Sequence, residues 1–161
     1  MASVNVDIVN AFLFTLPIYL ANASMVVLGY LCKHKYVPIF PINITLFGCK
    51  RDWLVAFIYL IISVMLYFFL FHQFFLGIVI GLGAWMGNLF NSFLKRRLGY
   101  PIGKSLPFID QLDFIGGAIF AYYLTFGFFP DNSILIIILT LFLHPLSNMV
   151  AYELGLKEVW W

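Results

Sequence analysis

Five stretches of this chain, roughly 8–32, 53–71, 73–94, 113–130 and 133–152, are apolar over close to the length that crosses a bilayer. A hydrocarbon core of ~30 Å takes about 20 apolar residues in a helix, and a helix pairs its backbone groups without help from water. These runs occupy most of the 161 residues, in a sequence that is 63% hydrophobic and only 10% charged. They predict an all-α integral membrane protein, a bundle of about five transmembrane helices forming a single domain over 1–161, with no room for a separate soluble domain. Asp7 and no basic residue precedes the first run, so that run does not read as a secretory leader.

The few charges are segregated. The connection at about 33–52 carries Lys33, Lys35, Lys50 and Arg51, and the one at about 95–112 carries Lys95, Arg96, Arg97 and Lys104. The connections at His72-Gln73 and at Pro130-Asp131-Asn132 carry no Lys or Arg. Positively charged loops stay in the cytoplasm. The expectation is a multi-pass protein of the cell membrane with both basic loops and the C-terminus cytoplasmic and the N-terminus outside. Lys157 agrees with that orientation, and Trp160-Trp161 beside it suit an interfacial anchor. Cys32 and Cys49 fall near the first cytoplasmic loop, where a reducing compartment disfavours a disulfide; they read as inert.

Polar and breaker residues inside the runs have two readings each. In LPIYLANAS, Pro17 and Asn22 mark either a kink packed against neighbours or an asparagine facing a polar cavity. Gly77, Gly81, Gly83 and Gly87 allow close helix contact and permit a homodimer. His144 and Asn148, one helical turn apart in the last run, serve as hydrogen-bonded packing or as polar support for a site. The 33–52 connection, with Pro38, Pro41 and Gly48, reads as irregular. Its Lys50 and Arg51 are topology charges or phosphate contacts.

The stretch from Gly87 to Asp113, GNLFNSFLKRRLGYPIGKSLPFIDQLD, carries the chemistry. Asn88, Ser92 and Lys95 stand at i, i+4 and i+7 and share one helical face; Asp110 and Asp113, at i and i+3, share another. Nucleotidyl transfer needs a divalent metal, carboxylates to hold it and cations to align phosphates. Mg²⁺ is commonly bound by one or two carboxylates plus substrate phosphates. Asp110 and Asp113 supply the carboxylates, and Lys95, Arg96 and Lys104 supply the cations, at the membrane boundary where a soluble nucleotide meets a lipid. The plainer alternative is a headgroup-binding basic cluster with two acidic counter-ions.

At these residues the chain resembles the CDP-archaeol synthase family, relatives of the bacterial phosphatidate cytidylyltransferases. LPIYLANAS at 16–24 is similar to the family's first-span motif. NSFLKRRLGYPIGKSLPFIDQLDFIGGA at 91–118 is similar to its catalytic loop, which typically reads GSFIKRRLG before a link into LDQLDF. HPLSNMVAYELGLKEVWW at 144–161 is similar to its carboxyl end. The resemblance implies Mg²⁺-dependent transfer of CMP from CTP to a lipid phosphate, giving a CDP-lipid and pyrophosphate. It implies nucleotide-phosphate roles for Ser92 and Lys95 and metal-binding roles for Asp110 and Asp113. Expected partners are CTP, the lipid phosphate and membrane lipid, with no nucleic acid.

Two departures stand out. Where the family has a Gly-Asp pair, this chain has Gly87-Asn88. Its first loop reads Pro41-Ile42-Asn43 and then Gly48-Cys49-Lys50-Arg51-Asp52-Trp53, in which Arg51 takes the place of a lysine and the motif arginine is missing. An asparagine neutralises no cation charge. A catalytically weakened or inactive descendant that binds lipid or a partner therefore stays open beside the enzyme. A small transporter has less support, because the charges gather at one membrane face and no inverted repeat is visible.

Overall fold

The computed structural model describes residues 2–33, 43–46, 49–100, 106 and 108–159. In chain order the elements are α1 (Ala2–Lys33), the short strands β1 (Asn43–Leu46) and β2 (Cys49–Asp52), then α2 (Trp53–Phe71), α3 (Phe74–Arg97), α4 (Ile109–Phe126) and α5 (Ser133–Glu153). One helix corresponds to each apolar run. Three of them extend well past the runs: α1 begins at Ala2, ahead of Ile8, α3 continues through Lys95 and Arg97, and α4 begins ahead of Asp110. Hydropathy marks where a helix leaves an apolar medium, whereas Lys, Arg and Gln remain good helix formers beyond that point.

The helix ends follow backbone chemistry. Gly99, at φ 72°, closes α3, with the Tyr100 N–H donating to the Lys95 carbonyl at 2.9 Å. Gly127, at φ 80°, closes α4, with its N–H donating to the Tyr123 carbonyl. Glycine adopts this left-handed conformation without the Cβ penalty. One expectation is corrected. The connection between α1 and α2 read as irregular, but its described part is an antiparallel hairpin, with Asn43 paired to Asp52 and Leu46 to Cys49. Ile44 and Thr45 are β-branched and favour the extended backbone. Pro38, Pro41 and Gly48 lie outside the described residues, as do Lys35 and Trp160-Trp161.

Among the described residues three stretches, Ile8–Val27, Phe74–Lys95 and Ser133–Glu153, are helical, long and apolar enough to cross a membrane, and the apolar stretch described in α2, Tyr59–Phe71, is shorter. The surface agrees with a lipid surround. Phe69, Ile134 and Phe142 are more than 70% exposed, while Thr15, Ser63, Asn91 and Thr140 are buried. A water-soluble domain rarely shows so much outward apolar surface, and polar groups within a membrane turn to the protein interior.

Hydroxyls join the helices across that interior. Tyr67 of α2 donates to the Phe14 carbonyl of α1 at 2.6 Å, Tyr19 of α1 to the Thr140 carbonyl of α5 at 3.3 Å, and Ser63 of α2 to the Gly77 carbonyl of α3 at 3.4 Å. Pro17 is fully buried, which favours the packed reading of that residue. Helix α3 lies between α2 and α4, and α5 closes against α1 and α4. Its four glycines make this possible. A Cβ at Gly77 would come 2.8 Å from the Val64 Cα of α2, and one at Gly81 would come 2.9 Å from Ser63 Oγ. One at Gly83 would collide with Ala121 and Gly117 of α4, and one at Gly87 with the Asp113 carbonyl. The faces that read as permitting a homodimer are therefore filled by α2 and α4 of the same chain.

Candidate functional site

The contact between α3 and α4 changes character along its length. On α3 the residues facing α4 are Gly83, Gly87, Asn91 and Lys95, spaced four apart; on α4 they are Ala121, Gly117, Asp113 and Asp110. Small residues bring the backbones together at one end, and that approach lets short polar side chains meet at the other. Asn91 Nδ2 donates to Asp110 Oδ1 at 2.8 Å and to Asp113 Oδ2 at 2.7 Å. Lys95 Nζ reaches both Asp110 carboxylate oxygens at 2.6 Å. With its NH₂ turned toward α4, the Asn88 amide donates to both Asp113 oxygens at 3.2 and 3.3 Å.

Asp110 also accepts the Leu106 N–H at 2.9 Å, while its own N–H donates to the Leu106 carbonyl at 3.0 Å. This exchange holds Leu106 against the first turn of α4, as a capping carboxylate does. Asp110 precedes the apolar run. Burial alone would raise its pKa, but hydrogen bonds from Asn91, Lys95 and Leu106 and the Lys95 charge outweigh that and hold it below the ordinary carboxylate value.

A second polar group approaches from α5 and the residues after it. His144 lies over Phe114, ring centroids 5.6 Å apart, with Asn148 Nδ2 3.4 Å from its Nδ1. Lys157 Nζ donates to Asn148 Oδ1 at 3.0 Å. Burial lowers the Lys157 pKa, and the Asp110 carboxylate acts on it in the opposite sense, so this ammonium stands within electrostatic reach of the dyad. Asn22 and Asn148 line one groove between α1 and α5.

Of the residues singled out in the sequence, Asn88, Lys95, Asp110 and Asp113 come together, and His144 and Asn148 adjoin them. Ser92 is on the predicted helix, but its hydroxyl donates to the Asn88 carbonyl at 2.9 Å. The face that meets the carboxylates is Asn88–Asn91–Lys95, not Asn88–Ser92–Lys95, because α4 packs on the side set by Gly83 and Gly87. Lys104 lies outside the described residues, as do the side chains of Arg51, Arg96, Cys32 and Cys49.

Three residues escaped the sequence reading: Asn91, Lys157 and Tyr59. Asn91 had a signal, four residues before Lys95 and four after Gly87. Tyr59 of α2 is fully buried and feels the Asp113 charge. Among the described residues, its hydroxyl and Asn91 Oδ1 are buried without a hydrogen-bond partner.

No group of three His, Cys, Asp or Glu residues able to hold a metal occurs among the described residues. The dyad nevertheless fits a hard divalent ion. One oxygen from each carboxylate converges on the single Asn91 nitrogen, and the unsatisfied Asn91 Oδ1 is a further oxygen donor beside them. Two carboxylates leaving room for phosphate oxygens is a donor set that Mg²⁺ takes.

A family model described as CarS-like, CDP-archaeol synthase, matches residues 42–161. Among curated proteins the chain is similar to the CDP-archaeol synthase of Methanopyrus kandleri, 48% identical over 87 residues covering 53% of this chain and 50% of that one. It is 42% identical to that of Methanocaldococcus jannaschii over 86 residues, 53% of this chain and 49% of the relative. It is 31% identical to that of Methanococcus aeolicus over 175 aligned positions, 96% of this chain and 97% of the relative. The matched region thus spans about half the length of the first two relatives and nearly all of the third. No solved structure matches.

Proposed function

The chain belongs to the CDP-archaeol synthase family, and from that premise we propose that it is a membrane-embedded cytidylyltransferase. It moves CMP from CTP to the phosphate of a membrane lipid and releases pyrophosphate. The observation that carries this reading is the Asn91–Asp110–Asp113–Lys95 cluster at the charged end of an apolar helix pair. Water-soluble nucleotide and membrane-held lipid meet at such a boundary.

The lipid phosphate already bears the nucleophilic oxygen, so the protein has to align two anions and lower their repulsion. That oxygen bonds to the α-phosphorus of CTP, the bond from the α-phosphorus to the bridging oxygen breaks, and pyrophosphate leaves with that electron pair. Lys95, oriented by its ion pair with Asp110, brings its positive charge to the phosphate oxygens, and Arg96, Lys104 and Ser92 extend the nucleotide contacts. Asp110 and Asp113 would hold a divalent ion, with Asn91 and Asn88 beside them. When bound, such an ion supplies charge neutralisation to the triphosphate and its leaving group. The whole of 1–161 forms one membrane domain with five spans. Its site and C-terminus face the cytoplasm and its N-terminus faces outside, as the basic connections and the end of the bundle holding Lys95 and Lys157 support.

The test uses purified protein in detergent with radiolabelled CTP, Mg²⁺, and parallel diether and diacyl phosphate lipids. The expected result is a labelled CDP-lipid with at least one of them, and none from Asp113→Asn or Lys95→Ala. Absence of product with every phosphate lipid, or full activity in both variants, overturns the reading.

A further inference from the structure

Two apolar grooves lead toward the site. One, of about 640 Å³, lies between α3 and α4 and passes Asn91 and Asp113 partway along its wall. The other, of about 460 Å³, runs between α1 and α5, along Phe12 to Val27 on one side and Leu143 to Leu156 on the other. The fifteen helical rises from Phe12 to Val27 correspond to about 22 Å of groove, the length of a long hydrocarbon chain. The charged groups they meet differ in sign. The α3–α4 groove meets a carboxylate, which repels an anionic headgroup. The α1–α5 groove carries Asn22, Ser147 and Asn148 in its wall, and the residue directly after its last wall residue is Lys157, bonded to Asn148 at 3.0 Å.

We infer that the α1–α5 groove holds a hydrocarbon chain of a lipid phosphomonoester, whose phosphate is received by Lys157 and Asn148. This rests on the cytidylyltransferase reading and extends it to the second substrate. An ammonium offers three donors, and a phosphate oxygen accepts from it far more strongly than from a neutral amide. Asn148 adjoins His144, which lies over Phe114, the residue after Asp113, so the headgroup is received on the α5 side of the dyad, while Lys95 approaches Asp110 from α3. The two cations thus divide the work: Lys95 serves the nucleotide and Lys157 the lipid. Charge complementarity selects this groove over its neighbour, which is left to take a second chain.

The test is lipid binding by native mass spectrometry in the absence of CTP, using dioleoyl phosphatidate and dioleoylglycerol as probes. Lys157→Met should weaken phosphatidate binding about tenfold, as expected for one charge-assisted hydrogen bond, and leave dioleoylglycerol unchanged. Lys157→Arg should retain phosphatidate. Ala151→Phe, which fills the groove, should weaken both lipids, while Phe142→Leu, outside the groove, should weaken neither. Phosphatidate binding unchanged in Lys157→Met, or both lipids bound normally by Ala151→Phe, overturns the inference. The two readings separate cleanly. The expected binding pattern without CDP-lipid formation removes the enzymatic reading and keeps the lipid site. Turnover with an unaltered lipid KM in Lys157→Met removes the lipid site and keeps the enzyme.

Discussion

Gly87 on α3 and Gly117 on α4 lie so close that a Cβ on Gly117 would stand 2.9 Å from both the Cα and the N of Gly87. Four residues further along α3, Asn91 reaches both aspartates of α4, so the distance set by the glycine pair is also the distance across the site. The neighbouring Gly116 has nothing within 4 Å of a built Cβ. Gly117→Ala should therefore separate the helices, costing about 1–3 kcal/mol as overpacking does, and reduce CDP-lipid formation with it. Gly116→Ala should be neutral or stabilising by up to about 1 kcal/mol through helix propensity. Thermal unfolding in detergent alongside activity checks the pair; equal behaviour of the two variants would show that the approach of α3 to α4 does not set the site.

Asn91 keeps two carboxylates together by donating both of its N–H groups to them. Asn91→Leu leaves that pair without the shared donor, and loss of buried hydrogen bonds to charged groups costs about 1–3 kcal/mol. Unfolding temperature in chelator should fall. An unchanged unfolding temperature would mean that the amide does not support the dyad.

The five helices were legible because each apolar run approaches a bilayer thickness and the runs are separated by short polar breaks such as His72-Gln73 and Pro130-Asp131-Asn132. Asp110, Asp113 and Lys95 were legible as rare charges in an apolar chain. Which face of α3 meets them was not. Helical spacing groups Asn88 with Ser92 as readily as with Asn91, and the choice is made by Gly83 and Gly87, whose role appears only when α4 is seen packed on them. Tyr59 and Lys157 were hidden for a related reason. One reads as core and the other as a topology charge until the fold brings them within electrostatic reach of the dyad.

The low pKa of Asp110 fixes the sign of an acid transition. A carboxyl held below its unfolded value of about 3.9 contributes stability that is fully present above that value and is lost as pH falls through the lower folded one. Lys95→Met removes a hydrogen bond and the charge that oppose burial, so the carboxyl rises and the transition moves to higher pH. Unfolding temperature followed from about pH 3 to pH 7 in metal-free detergent buffer should show this displacement. Superimposable acid limbs would show that Lys95 does not hold Asp110 ionised.

Asn88 provides the sharpest test of the metal chemistry. Its amide faces both oxygens of Asp113 at 3.2 and 3.3 Å, a favourable contact between a neutral donor and a carboxylate. Asn88→Asp converts that contact into one between two like charges, which repel unless a cation lies between them. In chelator the variant should therefore unfold at a lower temperature than the parent. In Mg²⁺ it should gain more, because a third carboxylate strengthens a hard-cation site, and half-maximal CDP-lipid formation should need several-fold less Mg²⁺. The opposing responses matter because a purely structural asparagine would give the loss in chelator without the gain in metal. That outcome would place position 88 outside the metal's donors and leave Asp110 and Asp113 as its carboxylate ligands.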